Sequence, residues 1–340
     1  MNMKKINVVL IGVGHDHAPA VYSSVMKQEI FEVVGFAALE SERTVFHDRI
    51  ESYKKYIRYF TVEEALNCSG LDAAIIETEE EYLTKYSIMA IEKGLSVHSD
   101  KPGGLNLSEF EKMIDLAKTS KKILHFGYMY RYNPAIIKLI EDVKNGEYGE
   151  IFSVEAQMNC LHTDEKRAWL DKFPGGMLFF LGCHLIDLIL SIQGEPKEVI
   201  PLSTASNING VTSQDIGMVV FKYENGLSFA KSCAAEVGGF MRRQLVVCGS
   251  KKTIEINPLE ILDEGGLQHS VIRSTTYQEA QKLNWWNSTE KTDSEMFNRY
   301  DNMMRGFAEI VMEKKENTYS YDYELALYKL LLKSCGIKAE

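Results

Sequence analysis

Several absences narrow the function of this chain before any motif is read. No apolar run in its 340 residues reaches the length needed to span a bilayer. No signal-peptide core follows Met1–Lys5, because the first strand pattern starts at once. No cluster of Lys and Arg marks a nucleic-acid face: the net charge is -10, and pairs such as Lys54-Lys55 and Lys121-Lys122 suit any solvated surface. The six cysteines, at 68, 160, 183, 233, 248 and 335, form no C-x-x-C pair. They read as buried thiols of a reducing cytoplasm and not as a disulfide framework. Internal repeats and low-complexity tracts are missing as well. What remains, 45% hydrophobic and 25% charged residues, is the composition of a soluble globular protein, and the length favours two domains.

The first third of the chain alternates short apolar runs with helical patterns. Strands are expected at Val8–Ile11, Phe31–Ala38, Ile57–Phe60, Leu71–Ile76, Leu95–Ser99 and Ile123–Phe126. Helices are expected at Ala18–Glu29, Glu42–Tyr53, Glu80–Lys93 and from Ser108, with capping-box spacing at Thr61-x-x-Glu64 and Ser108-x-x-Glu111. Such alternation implies right-handed crossovers and a doubly wound parallel sheet over residues 1–126. After Tyr128 the pattern changes. Pro134–Lys144 reads as a helix, Glu150–Asn159 as an alternating strand and Gly176–Ile192 as one long apolar helix. Strands follow at 198–204, 215–223, 226–236, 241–248 and 252–256, a loop region at 257–298, and terminal helices at Tyr300–Lys314 and Tyr323–Cys335. Residues 127–340 are therefore expected to form an α+β domain with a mainly antiparallel sheet and C-terminal helices.

The run Val8-Val9-Leu10-Ile11 ends in Gly12-Val13-Gly14, and a helical stretch with Pro19 near its start follows. A buried strand that turns sharply into a helix through Gly-x-Gly suits a dinucleotide diphosphate: Gly12 allows the turn, Gly14 the close approach, and the helix start offers N–H groups. His17 stands where a third glycine would complete the fingerprint. His15 and His17 are expected near the phosphates. No metal centre is read from His15-x-His17, because no acidic or sulfur ligand clusters with it in the sequence.

Four stretches taken in order resemble the Gfo/Idh/MocA family of NAD(P)-dependent oxidoreductases. They are Ile11-Gly12-Val13-Gly14, Ser99-Asp100-Lys101-Pro102, Gly127-Tyr128-Met129-Tyr130-Arg131-Tyr132-Asn133-Pro134, and Gly175-Gly176-Met177 through Leu181-Gly182-Cys183-His184-Leu185-Ile186-Asp187. The resemblance covers nearly the whole chain. It implies a Rossmann domain that binds NAD or NADP, with Gly12, Gly14, His15, His17, Thr78 and Asp100 toward the cofactor. It implies a second domain that supplies the substrate pocket and often an oligomer interface, hence a homodimer or homotetramer. The implied reaction is hydride transfer between the nicotinamide and a hydroxyl-bearing carbon of a sugar, inositol or related polyol. Lys101 matches the lysine that steadies the developing alkoxide, and His184 the histidine that carries the hydroxyl proton. Arg131 and Trp169 are candidate substrate contacts; Asn133, His162, Arg167 and Lys172 lie near them in sequence, while Arg242-Arg243 and Trp285-Trp286 suit interface or surface as well as the site.

The chain departs from the family at four places. Phe180 stands where many members carry an acid one helical turn before the histidine. Ala38, with Glu40 and Arg43 beyond it, stands where NAD sites place an acid after the second strand, so the choice between NAD and NADP is open. Thr78-Glu79-Glu80-Glu81 replaces a Thr-Pro-Asn motif, and His17 replaces the glycine. These departures keep two further readings in view: a non-catalytic dinucleotide- or sugar-binding protein, and an NAD-dependent lyase or glycosidase on the same fold.

Overall fold

A computed structural model describes residues 5–282 and 289–337. The Trp285-Trp286 pair lies outside the described residues. The chain divides into two compact units, Met1–Met129 with Tyr300–Tyr328, and Tyr130–Arg299 with Lys329–Glu340.

In the first unit, six parallel strands run β1 (Ile6–Ile11), β2 (Phe31–Ala37), β3 (Tyr59–Phe60), β4 (Ala73–Ile76), β5 (Ser96–Ser99) and β6 (Leu124–Phe126). Their order across the sheet is β3-β2-β1-β4-β5-β6, so the direction of winding reverses between β1 and β4. Ligands of such sheets bind at the carboxyl ends of the strands beside that reversal. The central strands are buried on both faces, which is why Val8-Val9-Leu10-Ile11 and Ala73-Ala74-Ile75-Ile76 read as unbroken apolar runs. The Thr61 capping box forms as expected: its hydroxyl accepts from Glu64 N–H, and the Glu64 carboxylate accepts from Thr61 N–H. The Ser108 box does not. Asn106 caps the helix Leu107–Ser120, taking Glu109 N–H at 3.2 Å and the Ser108 hydroxyl at 2.8 Å. The helix expected over Glu42–Tyr53 is interrupted at Phe46.

Residues 300–328, assigned from sequence to the second domain, belong by their contacts to the first unit. The Tyr328 ring stacks on Phe110 at 4.1 Å, and its hydroxyl donates to Gly104 O. Phe307 packs on His98 and His125, and Tyr321 donates to Lys122 O.

The second unit is built on an eight-stranded sheet. Its strands are β7 (Ile151–Asn159), β8 (Glu198–Pro201), β9 (Ile216–Tyr223), β10 (Gly226–Cys233), β11 (Gln244–Gly249) and β12 (Lys252–Ile256). The segment expected to be loop adds β13 (Ile261–Leu262), β14 (Gln268–His269), β15 (Val271–Thr276) and β16 (Thr292–Asp293). The sheet order is β16-β15-β12-β11-β7-β10-β9-β8, antiparallel except for the β7–β10 pair, while β13 and β14 pair only with each other. Buried and partly exposed positions alternate along β9, β10 and β11, and one face packs under the helices Met177–Phe180 and Cys183–Gln193. Those two helices replace the single one expected over Gly176–Ile192; the chain breaks at Leu181-Gly182, where Leu178 sits on Gly217 of β9. On the other face Val246, Glu155, Phe229 and Val220 form one row, each partly exposed.

All six cysteines are free; Cys183 and Cys233 are buried, whereas the other four, read as buried thiols from sequence, are partly exposed. Among the described residues no helix is long and apolar enough to cross a membrane.

Candidate functional site

The loop after β1 is shaped by contacts that need glycine. Gly12 has φ +86°, and a side chain there would come within 2.5–2.7 Å of Thr78, which follows β4 by two residues. At Gly14 a Cβ would meet the Glu42 carboxylate at 2.7 Å. That carboxylate accepts from Gly14 N–H at 2.8 Å, from Leu39 N–H at 2.8 Å and from Val13 N–H at 3.1 Å. Glu42 is fully buried, and burial pushes it up to about 7, against the three N–H groups that favour its ionised form. The turn is thus a nest of N–H donors, which in this structure the Glu42 carboxyl occupies. The helix that follows, Ala18–Lys27, starts with Pro19 and has no acidic residue in its first turn.

His15 and His17 both turn toward Asp100, which follows β5. His15 Nε2 donates to Lys101 O at 3.2 Å, and His15 Nδ1 accepts from His17 N–H at 3.1 Å. The same Nδ1 lies 3.2 Å from Asp100 Oδ2 and 3.8 Å from Glu77 Oε2. His17 Nδ1 lies 3.0 Å from Asp100 Oδ2. Burial lowers His15 to about 3, overcoming the pull of Asp100. Burial would raise Asp100, but His15, His17 and the Lys101 charge hold it well below the carboxylate range. Glu77 is pushed well above that range by burial and then by the Asp100 charge. Its carboxyl also lies 3.6 Å from His98 Nε2, and His98 meets His125 through their Nδ1 atoms at 2.8 Å. The histidines expected at the phosphates are therefore held by carboxyl groups inside the first unit.

Lys101 is 1% exposed, so it is not a surface lysine. Its backbone is fixed from both sides: its N–H donates to Asp100 Oδ1 at 2.7 Å, and its carbonyl accepts from His15. The Lys101-Pro102 peptide bond is cis.

In the second unit His184 lies in the first turn of the helix Cys183–Gln193, buried, with the edge of its ring pair formed by Tyr130 at 5.2 Å between centroids. Tyr130 donates to Glu260 at 2.6 Å, and Glu260 also holds Arg243 and Arg299. Burial and the Glu260 charge push the Tyr130 phenol up. Arg131, expected at the substrate, makes a two-pronged pair with Asp187 at 2.9 and 2.8 Å, both side chains buried. Its guanidinium braces the helix that carries His184. Phe180 is buried among aromatic rings, 5.3 Å from Trp169 and 6.1 Å from Phe173. Trp169 is partly exposed and carries the Lys166 ammonium 3.5 Å over its ring. Arg167 is committed to Asp215 and Asp164, and Asn133 caps the helix Pro134–Lys144. Arg242 and Arg243, read as strand neighbours, straddle the end of a short turn: Arg242 pairs with Glu236 at the surface and Arg243 is buried against Glu260.

Glu42, Glu77 and Asp187 are polar residues of consequence that the sequence reading did not single out as site groups. Glu42 alone had a local signal, an acid shortly after the second strand.

Comparison with known proteins bears on both units. Residues 6–128 match the profile of an oxidoreductase family with an NAD-binding Rossmann fold, and residues 136–255 match the GFO/IDH/MocA C-terminal domain. An uncharacterized oxidoreductase of Schizosaccharomyces pombe is 25% identical over 57% of this chain and 53% of its own length, so the match spans about half of that relative. The myo-inositol 2-dehydrogenase of Thermotoga maritima is 24% identical over 66% of this chain and 70% of its own. The fold is shared with a 3-ketoreductase of Actinomadura kijaniata solved with NADP, at a TM-score of 0.75, 14% identity and 96% coverage of both chains.

Proposed function

The chain belongs to the Gfo/Idh/MocA oxidoreductase family, and from that premise we propose that it moves a hydride between NAD(P) and a hydroxyl-bearing carbon of a sugar, inositol or related polyol. The observation that carries the reading is Lys101: a lysine buried to 1% exposure, fixed by its own backbone at the carboxyl end of β5. Burying an ammonium is costly, and although the nearby Asp100 and Glu77 carboxyls offset part of that cost, its place in the fold gives the charge a task. At this edge of a parallel sheet the task is to donate to a hydroxyl oxygen and stabilise the alkoxide as the hydride leaves. A bound nicotinamide supplies the hydride acceptor. Gly12, Gly14 and Thr78 would hold the dinucleotide, and the Val13 and Gly14 N–H groups would reach its charge only if they released Glu42. His184 takes the hydroxyl proton, and Arg131 acts through Asp187 as a positioning residue for its helix.

Glu42 decides the cofactor in this reading. A carboxylate at the Gly-x-Gly loop opposes the extra phosphate of NADP, so NAD is the expected partner. Among substrates, the myo-inositol dehydrogenase relative favours polyols. The second unit's sheet leaves Val220, Phe229 and Val246 partly exposed in one row, which supports pairing with a second copy through that face.

The test is a fluorescence titration with NADH and NADPH, followed by turnover of a panel of inositols and sugars. Lys101→Met and His184→Ala should each lower turnover by about a hundredfold or more. Cofactor binding with no turnover anywhere on the panel would favour a binding protein, the reading that Phe180 in place of an acid suggests. Product analysis separates net oxidation from a lyase or glycosidase cycle that returns the hydride.

A further inference from the structure

We propose that His15, His17 and Asp100, joined by Glu77, form a binding site for one divalent transition-metal ion of the zinc type. The proposal goes beyond the hydride-transfer reading and does not rest on it.

The His15 tautomer is fixed by its neighbours. His15 Nε2 faces two acceptors, the carbonyl of Lys101 at 3.2 Å and a carboxylate oxygen of Glu80 at 3.5 Å. A backbone carbonyl only accepts, so Nε2 carries the proton. Nδ1 accepts from His17 N–H at 3.1 Å and therefore presents its lone pair. That lone pair also faces Asp100 Oδ2 at 3.2 Å and Glu77 Oε2 at 3.8 Å. Three possible ligand atoms thus turn on one buried point, and a cation entering there would take the place of the His17 N–H on Nδ1. A histidine whose outer N–H is fixed by a backbone carbonyl is also how metal-bound imidazoles are oriented.

The spacing of the ligand atoms suits one ion. Metal–ligand distances of about 2.0–2.2 Å put tetrahedral ligand atoms roughly 3.3–3.6 Å apart. Here His17 Nδ1 and His15 Nδ1 lie 3.0 and 3.2 Å from Asp100 Oδ2, and the ligand atoms of the three residues all fall within 4.8 Å of one another. Imidazole and carboxylate together suit zinc and its neighbours better than calcium or magnesium.

Glu77 adds to the cluster. Glu77 is fully buried, and beyond a carboxyl–carboxyl contact with Asp100 its oxygens meet no close backbone or side-chain N–H among the described residues. Such a group needs a partner. Asp100, Glu77 and Glu80 bring three carboxyl groups around the two imidazoles, with Lys101 as the nearby opposing charge. A dication would balance the cluster and lower the negative charge beside the Gly-x-Gly turn.

The test uses the full chain, stripped with a chelator and titrated with Co2+ and then Zn2+. The expected result is one Co2+ per chain, with the strong visible bands of a tetrahedral nitrogen and oxygen site and no sulfur charge-transfer band, displaced by Zn2+. His17→Gln and Asp100→Asn, checked for folding by circular dichroism, should each weaken binding by about 10–100-fold or more. If a variant fails to fold, the wild-type spectrum alone decides. Wild-type protein that takes up no Co2+ at micromolar concentration, an octahedral or cysteine-ligated spectrum, or folded variants that bind as well as wild type would overturn the proposal. None of these readouts requires turnover, so failure here leaves the oxidoreductase reading standing, and the reverse holds as well.

Discussion

Glu42→Gln should change how stability depends on pH, and the direction follows from where the carboxyl sits. In the folded chain burial raises Glu42 from 4.5 to about 7. Between those values the unfolded chain has released the proton and the folded chain still holds it. Unfolding therefore releases a proton, and stability falls as pH rises from about 4.5 to about 7, then levels off. At 1.36 kcal/mol per pH unit, the loss between pH 5 and pH 8 is roughly 2–3 kcal/mol. Glutamine resembles the protonated acid in shape and charge but cannot titrate. The stability of wild type relative to the variant should thus drop by about that amount across the range, a relative change in Tm on the order of 5–10 °C for a unit of this size. Urea unfolding of both proteins at pH 5, 6, 7 and 8, followed by circular dichroism, measures it. The three backbone N–H groups pull the other way, toward a stable carboxylate. If they outweigh burial, the variant loses ground with rising pH. A difference that is flat or of opposite sign would refute the argument and show that the nest holds a permanent carboxylate.

Other outcomes follow from the same contacts. Arg131→Met should cost about 3–5 kcal/mol in denaturant unfolding, because it strands Asp187 as a buried charge; Arg131→Met with Asp187→Leu should recover most of the loss. Gly12→Val should abolish dinucleotide binding in a fluorescence titration, since a side chain would collide with Thr78; a folded variant that binds NADH like wild type would move the site elsewhere. NADH should bind at least about tenfold more tightly than NADPH by virtue of the Glu42 charge, and the reverse order in paired titrations would refute that role. Sedimentation at micromolar concentration should give a dimer or a dimer of dimers, and Phe229→Glu should shift it toward monomer.

How much of this could be read in advance depended on whether the physics was local. The strands of the parallel sheet were legible because burial on both faces leaves unbroken apolar runs, as in Ala73–Ile76. The Thr61 cap was legible because its partner lies three residues away. At Ser108 the same spacing misled: Asn106 stands two residues earlier and starts the helix there by taking the Glu109 N–H, which leaves Ser108 inside the first turn. Strand β15 escaped notice because every residue of Val271–Thr276 is partly exposed, so no alternation survives. The break at Leu181-Gly182 comes from Leu178 seating on Gly217, a contact between distant segments. The candidate site divides in the same way. Gly12, Thr78 and Lys101 announce themselves by strand ends. The pairing of His15 and His17 with Asp100 spans 83 residues for His17 and exists only because β1, β4 and β5 are neighbours in the sheet. The pairing of Arg131 with Asp187 spans 56 residues and turned an expected substrate contact into a brace.

The return of residues 300–328 to the first unit sets the order in which a nascent chain can finish its parts. All six strands of the parallel sheet emerge from the ribosome before residue 127. The Phe110 face and the His98–His125 pair nevertheless stay uncovered until Phe307 and Tyr328 have been made. The Rossmann sheet, first to be synthesised, is therefore among the last parts to close. Through the synthesis of some two hundred further residues it is the surface that chaperones or aggregation would find, at translation rates of about 5–20 residues per second a window on the order of 10–40 s.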